Sequence, residues 1–466
     1  MAVRLAFLLA LVLACSAQEA PEQEQKAPQD APPLGAKLPR QEENKTAQPQ
    51  APERWNIFWQ ATSVGQYHGT FRSPYEGENS LQDAAVTSWS LTSTLFLGLR
   101  LGDNTAIYVD PELAGGLGFS SVTGVADYPN GELTRVASVA PKPYLARAYI
   151  QHDFGWGSER ESFDSDENQL AGSRPVNRYT VAVGRFTVTD FFDNNRYSHD
   201  PRTQFIGWTI MYNGAWDYPA DVRGYTWGWY NELHTTNWSL RYAMALEPRV
   251  ANGSQLDLRI AHDRADMFEA ERRHTINRHP GAIRALGFLL RTDSGTYEKS
   301  LKLAQQTGTT PDITATRQLG TLKYGAGLNA EQEITSDMGV FARLGWNDGK
   351  TESFAFTAMD RLAQTGVSVT GTRWHRRFDT AATTLTVGGI SGVHASYLAA
   401  GGLDFIIGDG RLNYGPEYVW ESYYSARLLP GFFTTFDLQR IANPAYNQDR
   451  GPVWISSIRL HIALGK

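Results

Sequence analysis

Arg241, Asp257 and Arg259 stand at alternate positions among large apolar residues between Asn237 and His262, beside Trp238, Leu240, Tyr242, Met244, Leu256, Leu258 and Ile260. Guanidiniums and carboxylates on one such face can hold one another or bind water, which is non-covalent chemistry. The parts for covalent chemistry are missing. His274 and His279 lie five apart in a charged stretch with no neighbouring Cys and no HExxH frame, so their spacing does not suit a metal. Gly389-Ile390-Ser391-Gly392-Val393 approximates a nucleophile elbow, but it lacks the last glycine and falls on an expected strand. The residues therefore point away from an enzyme.

The elements that carry these side chains are strands, because successive residues of a strand point to opposite faces. Trp238–Leu246 alternates large apolar with small or charged residues. After Pro248 and the turn signal Ala251-Asn252-Gly253 the pattern resumes at Leu256–Ile260, as in a hairpin. The same alternation marks Trp55–Phe71, Trp89–Leu101, Thr105–Gly115, Lys142–Asp153, Asn177–Thr187, Gln204–Asn213 and Gly224–His234. It continues at Gly281–Arg291, Gly320–Glu333, Met338–Trp346, Ala382–Ser391, Ser396–Ile407, Arg411–Tyr424, Gly431–Arg440 and Pro452–Leu464. This gives roughly 16 to 18 strands, with an even count, 16, expected for a closed barrel. Tight turns at Gly102–Asn104, Thr235–Thr236 and Thr335–Asp337 contrast with long connections at Arg72–Val86, Gly116–Pro141, Thr292–Leu319 and Asn347–Ala381. Phe154–Val176 and Asp263–Pro280 break this rhythm. Aromatic residues gather near strand ends, at Trp55 and Trp59, Trp227 and Trp229, Tyr423 and Tyr424, and Trp454, as in an interfacial girdle. A soluble sandwich would turn the greasy faces inward, whereas an outer-membrane barrel would turn them toward lipid.

Composition narrows the class. The chain has 466 residues, 12% of them aromatic, with a mean hydropathy of -0.39, and its net charge of -6 argues against a nucleic-acid partner. Beyond the first fifteen residues no window approaches the ~20 apolar residues of a spanning helix. Residues 1–17 read as a secretory signal, with Arg4, the apolar run Leu5–Leu13 and the small residues Ala14-Cys15-Ser16-Ala17. Val12-Leu13-Ala14-Cys15 also fits a lipobox, which would leave Cys15 lipidated. Cys15 is the only cysteine, so no internal disulfide is possible. Residues 18–53 are rich in Pro, Gln and Glu and lack large apolar groups, so a disordered periplasmic tail is expected ahead of a barrel at 54–466.

The last seventy residues carry a resemblance. Tyr397 through Gly410, with Gly408-Asp409-Gly410, leads into Leu412-Asn413-Tyr414-Gly415, Glu417 and Glu421. Asp437, Gln439, Asn443-Pro444-Ala445-Tyr446-Asn447, Asp449-Arg450-Gly451-Pro452-Val453 and Arg459-Leu460-His461 follow in order. This region resembles the closing part of the carbohydrate-selective porins of the OprB type. Gly184-Arg185, Asp190-Phe191-Phe192-Asp193, Pro280-Gly281 with Arg284, and Gly295-Thr296-Tyr297 are similar in style. One departure is the ending Ala463-Leu464-Gly465-Lys466, where such barrels close on an aromatic residue.

The resemblance implies an all-β transmembrane antiparallel barrel in the bacterial outer membrane, monomer or homotrimer, that passes small sugars without a cofactor. On that expectation, strand parity points Arg100, Arg241, Asp257, Arg259, Lys323, Arg343, Glu417, Glu421 and Arg459 into the pore, together with Glu331, Asp437 and His461. Mixed charges suit a neutral sugar, whose hydroxyls both donate and accept. Asp190–Asp200, with Asp190, Asp193, Asn195, Arg196 and His199, is the first choice for a loop folded inward as a constriction. The charged segment Asp263–His279, with Arg264, Asp266, Glu269, Arg272 and Arg273, is the second. A general or anion-preferring porin and a soluble glycan-binding β-protein are the rival readings.

Overall fold

The structure, a computed structural model, describes residues 52–135 and 138–465, so the expected signal at 1–17 and nearly all of the tail lie outside the described residues. Among the described residues sixteen strands run in chain order. The first eight are β1 (Trp55–His68), β2 (Val86–Gly102), β3 (Thr105–Leu117), β4 (Lys142–Phe163), β5 (Gly172–Phe186), β6 (Thr226–His234), β7 (Trp238–Ala245) and β8 (Arg264–Ile276). The rest are β9 (His279–Ser294), β10 (Gln318–Thr335), β11 (Met338–Asn347), β12 (Arg361–Gly371), β13 (Arg376–Gly389), β14 (Glu417–Leu429), β15 (Phe432–Ala442) and β16 (Val453–Gly465). Each pairs antiparallel with its chain neighbours. The sheet closes where β1 meets β16, with Trp59 opposite Leu464 and Val64 opposite Arg459.

The alternation has an inside-out outcome. Leu99, Leu240, Leu328, Leu344, Leu385, Phe436 and Leu460 are exposed on the outer surface, while Ser88, Ser90, Thr92 and Thr94 of β2 are buried inside. An apolar band running around the whole barrel has no place in water and matches a bilayer. Short turns lie at one end, such as 103–104, 235–237 and 336–337, and the long connections lie at the other. Trp55 and Trp238 ring the short-turn end, while Trp89, Trp227, Trp346 and Trp454 ring the long-loop end. Of the expected girdle pair Tyr423 and Tyr424, only Tyr424 faces out. Tyr423 is buried against Phe205, because neighbours on a strand take opposite faces.

Several expected elements need correction. Gln204–Asn213 is not a strand; it contains the one-turn helix α1 (Trp208–Met211) and lies inside the barrel, where Phe205, Ile206, Trp208 and Ile210 are buried on every side. Ser396–Ile407 is not a strand either, since helix α3 (Gly392–Ala399) buries Tyr397 and Leu398 near helix α2 (Tyr297–Thr307). Leu256–Ile260 belongs to the β7–β8 loop and touches Pro248 through an isolated bridge only. The segment read as a second inward loop is wall strand β8. Its outward positions Ala270 and Arg272 gave little apolar signal, and the Arg272 stem reaches back over the Trp238 ring. Strand β12 escaped for a similar reason, with Ala363 and Thr365 facing out.

A loop-filled lumen and its candidate solute path

The interior is filled by long loops folded back between the walls. Glycines on the inner faces of β10 and β11 make room for them. A Cβ on Gly345 would lie 2.1 Å from Asn213 Oδ1, one on Gly327 would lie 2.5 Å from Asn213 Nδ2, and one on Gly339 would overlap the Tyr197 ring. The loop 187–225 therefore lies directly on backbone, where any larger side chain would hold it off.

Charged wall residues grip this filling by its main chain. Glu421 accepts from the backbone N–H groups of Ile206 (2.7 Å) and Gly207 (3.0 Å). Glu417 accepts from those of Asp127, Ala126 and Ala445. Glu269 takes the N–H of Asp193 and Glu331 that of Arg196, both at 2.7 Å. In the opposite sense, Arg459 donates to the carbonyls of Pro201 (2.7 Å) and Gln204 (2.6 Å), and Arg343 donates to Ile210 O at 2.9 Å. Lys323 Nζ reaches Asp217 Oδ2 at 2.7 Å, and that carboxylate also accepts from the N–H groups of Phe354, Ala355 and Phe356. Buried charges must be paired or hydrogen-bonded, and loop backbone supplies what open water would in an unobstructed pore.

The sequence-predicted residues thus fall into groups. Lys323, Arg343, Glu417, Glu421 and Arg459 point inward and are covered by the loops they hold. Arg241 also points inward, within a network joining Glu232, Glu269 and Glu271 at 2.6–3.1 Å. Arg100 sits at the short-turn end and donates to the carbonyls of Glu53, Leu170 and Ala171. Asp257 and Arg259 are not on the wall. They pair with each other in the β7–β8 loop, and Arg259 is half exposed there. Arg284, Glu271, Arg147, Glu112 and Arg202 are further inner charges that were missed. Arg284 and Glu271 are legible in hindsight, because both fall on the inward parity of their strands.

In the inserted loop, Asp193 adopts φ 55° and binds Arg343 at 3.1 Å while accepting from the Asn213 N–H at 2.8 Å. Asn195 donates to Asn329 at 2.7 Å, and Arg196 pairs with Glu333 at 3.1 Å. Asp190 pairs with Arg147 of β4 at 2.6 Å, and Arg202 bridges Glu112 (3.0 Å) and Glu132 (3.1 Å). The His199 ring meets the Tyr212 ring edge-on at 5.2 Å. Asp190, Arg196, His199, Arg202, Gln204 and Tyr212 keep partial exposure while most of the loop beyond them is buried. Asp190 and Arg202 face β4 and β3 and Arg196 faces β10, so the set presents guanidinium, carboxylate, amide and aromatic groups with partial exposure. Among the described residues no cluster of His, Cys, Asp and Glu is placed to hold a metal.

Comparison with known proteins agrees with this geometry. The family model described as carbohydrate-selective porin, OprB family, matches residues 90–464. Among solved structures, OprB of Pseudomonas putida at high pH superposes with a TM-score of 0.64 at 14% identity, covering 89% of this chain and 94% of that one. Its low-pH structure gives 0.47 at 12% identity, over 88% and 93%. No curated protein sequence matches.

Proposed function

The chain belongs to the carbohydrate-selective porin family, OprB type, a family of outer-membrane channels rather than enzymes, and we propose that uncharged small sugars cross it along the half-wet edge of the inserted loop. The observation that carries this reading is the mixed lining there. Arg202, Asp190, Tyr212 and His199 keep partial exposure there, backed by the buried Arg147, Glu112 and Glu132 with which Arg202 and Asp190 pair. Hydroxyls can donate to the carboxylates and accept from the guanidiniums, while a sugar's C–H face rests on an aromatic ring. A ring of one charge would instead favour ions of the opposite sign.

One barrel is closed by its own β1–β16 seam, so a single chain suffices for passage, whether it stands alone or in a homotrimer. Residues 1–17 act as the export signal and 18–53 as a periplasmic tail. In support, the Glu53 N–H donates to Ala171 O at 3.0 Å at the short-turn end, the periplasmic side in barrels of this class. Planar-bilayer recording with a graded series of glucose oligomers tests the reading. Concentration-dependent block of the ion current is expected, and a current indifferent to every sugar would favour a general porin.

A further inference from the structure

At the short-turn end, strands β4 and β5 continue well past their neighbours. The Asp153 N–H donates to the carbonyl of Asn104 at the β2–β3 turn, and beyond that level the pair runs on to Phe163 and Gly172. Its register breaks between Trp156 and Arg160, beside Gly157 at φ 82°, and a bulge of this kind bends a two-stranded ribbon. The ribbon turns inward. Asn56, Gly98 and Asp110 lie on the inner faces of β1, β2 and β3, and the tip, residues 164–171, rests on all three. Asn56 Nδ2 donates to Ser165 Oγ (3.0 Å), Asp166 O (3.2 Å) and Gln169 O (2.8 Å). Asn168 Nδ2 donates to Asp110 Oδ2 at 2.9 Å, and Leu170 is buried where a Cβ on Gly98 would lie 3.2 Å from its Cδ2.

The tip is held but hardly packed. Residues 154–160 are exposed, residues 165–169 are half-buried, and Leu170 is the large apolar side chain that the tip buries. Polar contacts supply the rest. Arg100 donates to Leu170 O and Ala171 O, while Glu53 accepts the Ala171 N–H at 2.8 Å and donates its own N–H to Ala171 O. An element held by a few hydrogen bonds over little apolar contact opens at lower cost than the barrel wall. Asp110 also lies 3.4 Å from Arg147, which pairs with Asp190, so the tip meets the charges around the inserted loop from the periplasmic side. We infer that the ribbon 157–176 is a gate on the periplasmic exit, shut while its tip is latched on Asn56 and open when it swings out about the bulge at Gly157. It acts on every solute and ion that leaves by this mouth, so the inference stands apart from the choice of sugar.

Planar-bilayer recording of the full chain tests this with a latch that can be made covalent. Asn56 Nδ2 and Ser165 Oγ lie 3.0 Å apart, so thiols placed at these two positions come within bonding reach. Asn56→Cys combined with Ser165→Cys, oxidised by diamide, should carry several-fold less ion current than wild type, and dithiothreitol should restore it. Once reduced, the same chain lacks the three Asn56 hydrogen bonds, and its closed dwell times should be about tenfold shorter than those of wild type. Asn56→Cys alone should ignore the oxidant. An unchanged current with the disulfide verified by mass spectrometry overturns the inference, because ions then pass around a fixed ribbon. Closed dwell times equal to wild type in Asn56→Ala overturn it too. Either failure would leave block of the current by sugars intact, which separates this test from that of the sugar reading.

Discussion

Arg343 of wall strand β11 and Asp193 of the inserted loop meet at 3.1 Å, both almost wholly removed from solvent, and join the barrel to what fills it. The same guanidinium donates to Ile210 O, Ser198 Oγ and Gln364 Oε1, so one side chain gathers two turns of the loop against the wall. Removing one partner of a buried pair costs about 3–5 kcal/mol, because the other is left charged and dry. Arg343→Met should therefore loosen the loop without opening the strand ladder. The expected result in bilayer recording is larger, noisier conductance with weaker sugar block, and Asp193→Asn in the same chain should recover part of the loss. A quiet wild-type conductance in Arg343→Met would show that the loop is held elsewhere.

Tyr212 keeps partial exposure in the inserted loop, its ring edge-on to His199 at 5.2 Å and near Arg147. A ring at such a place contributes about 0.5–1.5 kcal/mol of contact beyond area. Tyr212→Ala should weaken sugar block by several-fold, up to about tenfold, with little change in ion conductance. Tyr212→Phe should retain most of the block. Noise analysis over a range of sugar concentrations gives both constants.

Arg202 holds two carboxylates, Glu112 and Glu132, on one guanidinium. Arg202→Gln leaves both without their cation, so the path gains negative character. The reversal potential in a potassium chloride gradient should move toward cation selectivity, and more so at low salt where screening is weak. An unmoved reversal potential would place the ion path away from this residue.

The outer loops carry a separate titration. Burial drives the His394 pKa down, but Asp360 at 3.1 Å from Nδ1 and Asp404 at 3.1 Å from Nε2 outweigh it and push it up to about 9. Tyr297 stacks on the ring at 4.2 Å and donates to Asp404, so the imidazolium ties together the loops after β9, β11 and β13. The folded pKa lies above the ordinary histidine value of about 6.5. Its stabilising contribution is therefore complete below about 6.5 and lost as pH rises through about 9. Limited proteolysis of the 390–416 loop should accelerate between those values in wild type. In His394→Gln it should be fast and flat with pH.

Strand parity was legible because one side of each strand had to suit lipid, and that demand is written in residues such as Trp89–Leu101 and Trp238–Leu246. It failed where lipid-facing positions are small or charged, as in β8 and β12. It misled at Gln204–Asn213, where apolar residues fill the lumen instead. The inward direction of Arg343 and Glu421 followed from alternation alone. Their partners did not, because a wall carboxylate that accepts a loop N–H leaves no trace in the loop's own sequence. The inward glycines Gly327, Gly339 and Gly345 were the available signal, since a strand gives up side chains on its inner face only where backbone comes close.

Leu240 and Ser239 are neighbours on β7 with opposite surroundings: the leucine is half exposed on the outer face, and the serine is buried inside within 2.9 Å of Arg273 Nη1. Substituting arginine separates the two. On the outer face, Leu240→Arg places a charge in hydrocarbon, at a cost of about 2–4 kcal/mol near the midplane and less toward the interface. Urea titration of the barrel in bilayers should show that loss, largest in thick membranes where the side chain cannot reach water. Leu240→Ser removes only apolar area and should cost less. In a soluble sandwich the order would differ, because an exposed Leu240 would accept arginine freely, so equal stability of Leu240→Arg and wild type would refute the lipid-facing assignment of this strand.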